Sequence, residues 1–230
     1  MDKFARFSDY EVFAYIASGL AALLVWDVAF STHFLLNAEW KVADGVLVIA
    51  SAYVLGQLLA APSGWLLERQ FVNHVLFRPS VNLMSIRPLG WRIVLKKSFL
   101  QDYYSPLDSR LRGKVTDRAA RDAGRAVTGE EIFWCAFPIA KRDPTAYARM
   151  ETFLKLYGFC RNLSFVALTG ALIFLTDAAV GWRCHGWSVG VETQCWHALV
   201  ATIVGLGMFH RYLKFFRLYS VEIFVAYSEA

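Results

Sequence analysis

The sequence predicts an all-α membrane protein, with four transmembrane helices and a small, mostly helical cytoplasmic domain inserted between helices 2 and 3. Three observations predict it. Hydrophobic residues make up 57% of the 230 residues and charged residues only 19%, below the roughly 25% usual in soluble domains. The apolar residues gather into four long segments. If the loops between those segments alternate sides, 22 of the 24 Lys and Arg fall on one side, the asymmetry that orients membrane proteins. So much apolar surface excludes an intrinsically disordered chain, and 4 Cys in 230 residues are too few for a small disulfide scaffold.

The first segment, 11–36, carries one interior charge, Asp27, and its apolar stretch exceeds the h-region of a signal peptide. The second, 44–67, has no charge between its ends. The third, 153–180, opens with Lys155 and Arg161 and has Asp177 near its far end. The fourth, 196–216, is uncharged until His210 and Arg211. Each suffices for the ~20 helical residues that cross a bilayer. The chain therefore divides into 1–68 (helices 1 and 2), 69–143 (a basic cytoplasmic domain) and 144–230 (helix 3, an outer loop and helix 4). Only Lys41 and Arg183 fall opposite the positive side, which places both termini and the long loop in the cytoplasm. With 14 of the 19 acidic residues also on that side, the cytoplasmic face carries a formal charge of +8, more than the chain's average of +5.

In the second segment Ala52, Gly56, Ala60 and Gly64 recur every four residues. A ribbon of small side chains lets another helix approach closely, within one chain or between copies of it. Gly205 and Gly207 offer a similar surface in the fourth. Asp143 and Pro144 read as N-cap and first residue of a helix. From Pro144 to the end of the third segment is about 50 Å of helix at 1.5 Å per residue, well beyond a ~30 Å hydrocarbon core. Several turns should therefore leave the membrane, with Gly158 a place for a bend. Within the loop, 69–77 extends the second helix as far as Pro79, 81–95 contains short β-like runs, 115–127 has helical spacing, and Thr128 to Glu131 resembles a capping box.

Cys184 and Cys195 bracket the short outer loop 181–194. In an oxidising compartment they are expected to close it as a disulfide, the alternative being two separate thiols. Cys135 and Cys160 fall on the reducing side. The five His are scattered, and no Walker loop, GxGxxG after a strand, GxSxG elbow or HExxH helix occurs. Cys135 with His74 is the one nucleophile–base pair to consider, against the simpler reading of a structural thiol and a juxtamembrane imidazole. The sequence thus predicts a protein that is not an enzyme and that carries no cofactor or metal.

The basic loop is more informative. Arg87, Arg92, Lys96 and Lys97 alternate with Trp91, Tyr103 and Tyr104, and Arg110, Arg112, Lys114, Arg118, Arg121 and Arg125 follow. Cations neutralise phosphates and aromatic faces stack on bases, so the cluster is a candidate site for a nucleotide or single-stranded oligonucleotide. Anionic lipid headgroups are the alternative ligand, favoured for cations beside the spans. Asp27 and Asp177 are carboxylates at membrane depth, and with Gln57 they are candidates to line a cation pore formed by several copies. Each could instead sit at the membrane interface or pair with His33 or Arg183.

The opening DYEVFAYIASGLAALLVWDVAF, the four segments and the basic middle loop together resemble small four-span membrane components of bacterial anti-phage systems. The Hailong transmembrane effector family (HalA) is the nearest in layout, and the membrane component of Kiwa (KwaA) is similar. The resemblance covers the whole chain in layout but includes no diagnostic motif, so it transfers no binding residue. It implies a homotetramer in the bacterial inner membrane, held inactive by single-stranded DNA oligomers from a partner nucleotidyltransferase, whose loss opens a depolarising channel. Three readings follow: a ligand-gated pore, a non-conducting sensor or scaffold that recruits a cytoplasmic partner through the basic loop, and a small transporter. For the third, the sequence lacks the half-to-half repeat such proteins show.

Overall fold

The computed structural model describes residues 9–32, 34–35, 41–85 and 100–230, and these residues form helices joined by turns, with no strands among them. Helix α1 spans Asp9–Ala29 and α2 spans Val42–Ser63. The chain continues from α2 as a π-helix over Gly64–Leu76. Then come α3 (Pro79–Met84), α4 (Ser109–Ala123), α5 (Glu130–Ala140), α6 (Pro144–His185) and α7 (Val189–Glu229). Three helical stretches, Val42–Met84, Pro144–His185 and Val189–Glu229, are long and apolar enough to cross a membrane, and the apolar part of α1, Ala14–Ala29, is shorter.

The chain forms two compact units. The first comprises Met1–Leu67 and Gly158–Phe209, the second Glu68–Tyr157 and His210–Ala230. The second unit is thus larger than the inserted segment 69–143, because it also takes the first turns of α6 and the last turns of α7. Gly158, the expected bend, falls where α6 passes from one unit to the other.

In the first unit, the small residues of α2 serve contact within the chain. A Cβ on Gly56 would lie 2.0 Å from the Tyr15 carbonyl oxygen, and one on Gly19 would lie 1.7 Å from that of Ala52. The α1 and α2 backbones therefore touch, and only hydrogen fits between them. Tyr15 and Tyr53 meet edge to face beside this contact, with ring centroids 6.3 Å apart. Pro62 removes one backbone donor from the end of α2. Here the carbonyl of Ala60 accepts the N–H of Gly64 and, at 3.4 Å, Nη2 of Arg161. Ser63 donates to Asn162 Oδ1 at 2.6 Å, and both residues are buried. Helix α7 is tied to α6 through the Ser164 hydroxyl, which donates to the Gly205 carbonyl at 2.9 Å.

The second unit has its own apolar core. It combines Leu83 and Leu107, Val115 and Ala119 of α4, Ile132 and Ala136 of α5, Met150 of α6, and Ile223, Phe224 and Tyr227 of α7. Helix α4 starts on the Asp108 side chain, which accepts the N–H groups of Arg110 (3.0 Å) and Leu111 (3.4 Å), and stops at Gly124 in the left-handed conformation, φ 66°. Helix α6 starts as expected: Asp143 accepts the N–H of Thr145 at 2.8 Å ahead of Pro144. Two local expectations are altered. Gly129, rather than Thr128, is the N-cap of α5, with φ 50° and no side-chain bond, yet part of the capping box is present: the Thr128 carbonyl accepts the Glu131 N–H and the Glu131 carboxylate accepts the Thr128 N–H. The β-like run at 81–95 starts as α3, because Pro79 sits comfortably in a first helical turn; 86–95 lie outside the described residues.

Candidate functional site

Of the predicted phosphate cluster, Arg87, Trp91, Arg92, Lys96 and Lys97 lie outside the described residues. The two tyrosines do not present stacking faces: Tyr103 and Tyr104 are each 3% exposed. Tyr103 instead donates to the carbonyl of Phe77 at 2.6 Å, and Asn82 Nδ2 donates to the same carbonyl at 3.2 Å. Phe77 has φ 65°, a left-handed conformation that a bulky side chain adopts only under constraint. The tyrosine therefore holds a strained corner between the π-helix and α3. Burial, with Tyr104 beside it, pushes the Tyr103 hydroxyl well above its ordinary range, so it remains a donor throughout the physiological range.

Several cations of the cluster are occupied internally. Arg118 donates to the Tyr227 carbonyl at 2.9 Å, lies 4.9 Å from the centre of that ring, and is 3.8 Å from Asp122, which in turn accepts the Tyr227 hydroxyl at 2.6 Å. Arg125 pairs with Glu131 at 2.8 Å, and outside the cluster Arg78 pairs with Glu130 and Arg149 with Glu222. Arg118 is therefore committed to the core of the second unit, whereas Arg125 sits in a surface ion pair. Their weights differ. Arg118→Ala removes a carbonyl bond and a ring contact from the core of the second unit and is expected to cost about 1–2 kcal/mol. Arg125→Ala breaks a surface pair and should leave thermal unfolding at pH 7 nearly unchanged. Arg125 holds the Glu131 carboxyl below its ordinary range. What stability this pair adds is present above the unfolded-state carboxyl pKa and is lost as pH falls through the folded one. Unfolding curves of the two variants check both statements.

Arg110, Lys114 and Arg121 remain. Residues four and seven apart in α4 share one edge of the helix, so the three form a stripe interrupted by Asp117 alone. Arg110, Lys114 and Arg121 are exposed and have no acidic partner among the described residues. Arg112, partly exposed, lies on the other flank. The core residues Val115 and Ala119 hold the opposite side of the helix.

The membrane-depth candidates divide as well. Asp27 is 2% exposed. Its carboxylate accepts the Thr32 hydroxyl, the N–H of Phe34 at 2.7 Å and the N–H of Leu35 at 3.1 Å, which closes the turn after α1. It is thus a structural anchor rather than an open lining group. Gln57 is exposed and donates to the Tyr53 hydroxyl at 3.3 Å. Asp177 is exposed and lines a cavity of about 480 Å³. Cys184 and Cys195 are free thiols, so the expected disulfide is not formed. The reason is local: α6 runs on to His185 and α7 begins at Val189, which puts the two cysteines on helices and shrinks the expected loop to a three-residue turn. His74, the other half of the weighed nucleophile pair with Cys135, turns its Nδ1 to the Arg69 carbonyl at 2.8 Å.

The chain matches no known family, no curated protein and no solved structure. Among the described residues no group of three His, Cys, Asp or Glu could hold a metal ion. The sequence reading missed the buried Ser63–Asn162 bond with Arg161 beside it. A polar Arg-Asn pair inside an otherwise apolar segment was the available signal.

Proposed function

We propose that the chain is an oligomeric, multi-pass inner-membrane effector whose basic cytoplasmic unit binds a phosphate-bearing ligand, a nucleotide or single-stranded DNA oligomer, that controls an ion channel formed by the first unit. In this reading α1 is the fourth span and both termini are cytoplasmic. The resemblance to the Hailong effector supplies the homotetramer, the partner nucleotidyltransferase and the role in anti-phage defence by membrane depolarisation. The observation that carries it is the stripe Arg110, Lys114 and Arg121 on α4. Acids pair with other cations of the second unit, while these three stay exposed along one helix edge and form no ion pair there, Asp117 being the one acid on that edge. Cations arranged this way suit a phosphate backbone, and each contact made to a single strand contributes about 0.7 to the slope of log affinity against log salt.

The test is fluorescence anisotropy of a labelled single-stranded DNA oligomer with the detergent-purified protein across a salt series. The triple variant Arg110→Glu, Lys114→Glu and Arg121→Glu should weaken binding at least tenfold and flatten the salt slope by about two. Arg112→Glu, on the other flank, should change little. Unchanged binding by the triple variant would defeat the assignment.

Asp27 favours a second reading, the non-conducting sensor or scaffold, because its carboxylate is spent on closing a turn and does not supply a charged lining. Proteoliposomes separate the two. Ion flux that changes when the oligomer is added supports the channel, whereas oligomer binding without flux under any condition supports the sensor.

A further inference from the structure

The cavity beside Asp177 lies wholly within the first unit, where the last turns of α6 meet the end of α1 and the start of α7. Its volume, about 480 Å³, is in the range of small-molecule sites, roughly 300–1,000 Å³. Asp177 and His185, eight residues apart, stand on one face of α6. Phe30 supplies an aromatic wall, with its ring held against Trp26 at a centroid distance of 4.6 Å. From α7, Gln194 places its side-chain oxygen Oε1 out of contact with solvent and without a hydrogen-bond donor among the described residues. An acceptor buried in this way is costly until an N–H or O–H reaches it.

These groups ask for one kind of occupant. Asp177 supplies a full negative charge and has no ion-pair partner among the described residues. Gln194 supplies an acceptor in need of a donor, and the Phe30 face attracts cations. Ile173, Val191 and Ala29 leave apolar wall for a carbon body. A lone carboxylate does not satisfy a divalent metal, which takes several oxygen ligands, and the volume far exceeds what a bare monovalent ion needs. An anion would find the N-terminus of α7 favourable, but that end offers about half a charge. The Ser188 hydroxyl already receives the Val191 N–H there, at 3.4 Å. We propose that this cavity is a binding site for a small organic ammonium ion, with its N–H groups on Asp177 and Gln194 and its carbon body against Phe30. The site is independent of the α4 stripe and stands whether or not the first unit conducts.

The experiment uses the full chain in detergent micelles, with butylammonium and benzylammonium as probes and butanol and benzyl alcohol as their neutral counterparts, read by isothermal titration calorimetry. The ammonium ions should bind saturably and the alcohols at least tenfold more weakly. Asp177→Asn removes the charge from an exposed position that the fold does not depend on, and should weaken ammonium binding at least tenfold. Gln194→Leu should weaken it severalfold. Gly181→Leu should block it by filling the cavity, since even a Cβ there would come within 3.2 Å of Val191. Equal binding of amine and alcohol, full binding by Asp177→Asn, or no saturable binding of either ammonium ion would each overturn the site.

Discussion

Replacing Gly56 with leucine is expected to prevent the first unit from folding. At this position the α1 and α2 backbones are separated by a hydrogen atom: a Cβ would sit 2.0 Å from the Tyr15 carbonyl oxygen, against a normal contact of 3.4 Å or more. The obstacle is main chain, which cannot swing aside as a side chain does. The two helices would have to part by more than 1 Å along their contact, and the Tyr15–Tyr53 edge-to-face pair would separate with them. Overpacking usually costs about 1–3 kcal/mol, and a rigid backbone obstacle puts this case at or above the top of that range. Gly19→Leu should behave the same way from the other helix, because its Cβ would meet Ala52 at 1.7 Å. Gly158 is the control. It has nothing within 4 Å, so Gly158→Ala should be tolerated and gain the roughly 0.5–1 kcal/mol by which alanine exceeds glycine inside a helix. Monodispersity on gel filtration and the thermal midpoint in detergent read all three variants. A folded Gly56→Leu protein with an unchanged midpoint would show that α1 and α2 do not make this contact.

That contact also shows how far the sequence could be read. The four-residue spacing of Ala52, Gly56, Ala60 and Gly64 announced a close approach, but spacing cannot say whether the approaching helix belongs to the same chain. The structure spends Ala52 and Gly56 on α1 and sets Gly64 against the Arg161 guanidinium. Helix α6 was legible almost to its ends, because its start depends on two adjacent residues, Asp143 and Pro144, and its body on hydropathy. Helix α7 was cut short at residue 216, since a membrane criterion halts at Arg211, Lys214 and Arg217. The helix continues because its surroundings change: Ile223, Phe224 and Tyr227 are fully buried in the core of the second unit. The basic cluster was legible as charge and illegible as a site. Tyrosines interleaved with arginines read alike whether the rings stack on a ligand or are buried, and only tertiary contacts separate Arg118, bound to Tyr227, from Lys114, exposed three residues past Leu111. The two units themselves could not be read from composition, because α6 and α7 each contribute to both.

Asp27→Asn is expected to destabilise the first unit without altering ion preference in any conductance the protein supports. The carboxylate sits two residues from the end of a 21-residue helix, where the negative end of the macrodipole makes a negative charge unfavourable. It persists because three donors converge on it: the Thr32 hydroxyl and the backbone N–H groups of Phe34 and Leu35. Asparagine keeps one acceptor oxygen and turns an NH₂ towards the remaining donor, so at least one part-buried donor loses its partner and the others lose the assistance of a charge. With hydrogen bonds to charged groups worth about 1.5–3 kcal/mol each, the loss should be about 2–3 kcal/mol. Asp27→Ala, which strands all three donors, should cost more. A pore-lining carboxylate would behave in the opposite way: neutralising a group that faces water relieves repulsion between copies, leaves stability unchanged or improved, and reduces cation preference. The thermal midpoint and the reversal potential of one variant therefore decide between the two roles. A midpoint that does not fall, accompanied by a shift towards anions, would return Asp27 to the conduction path and remove the turn after α1 as the reason for its burial.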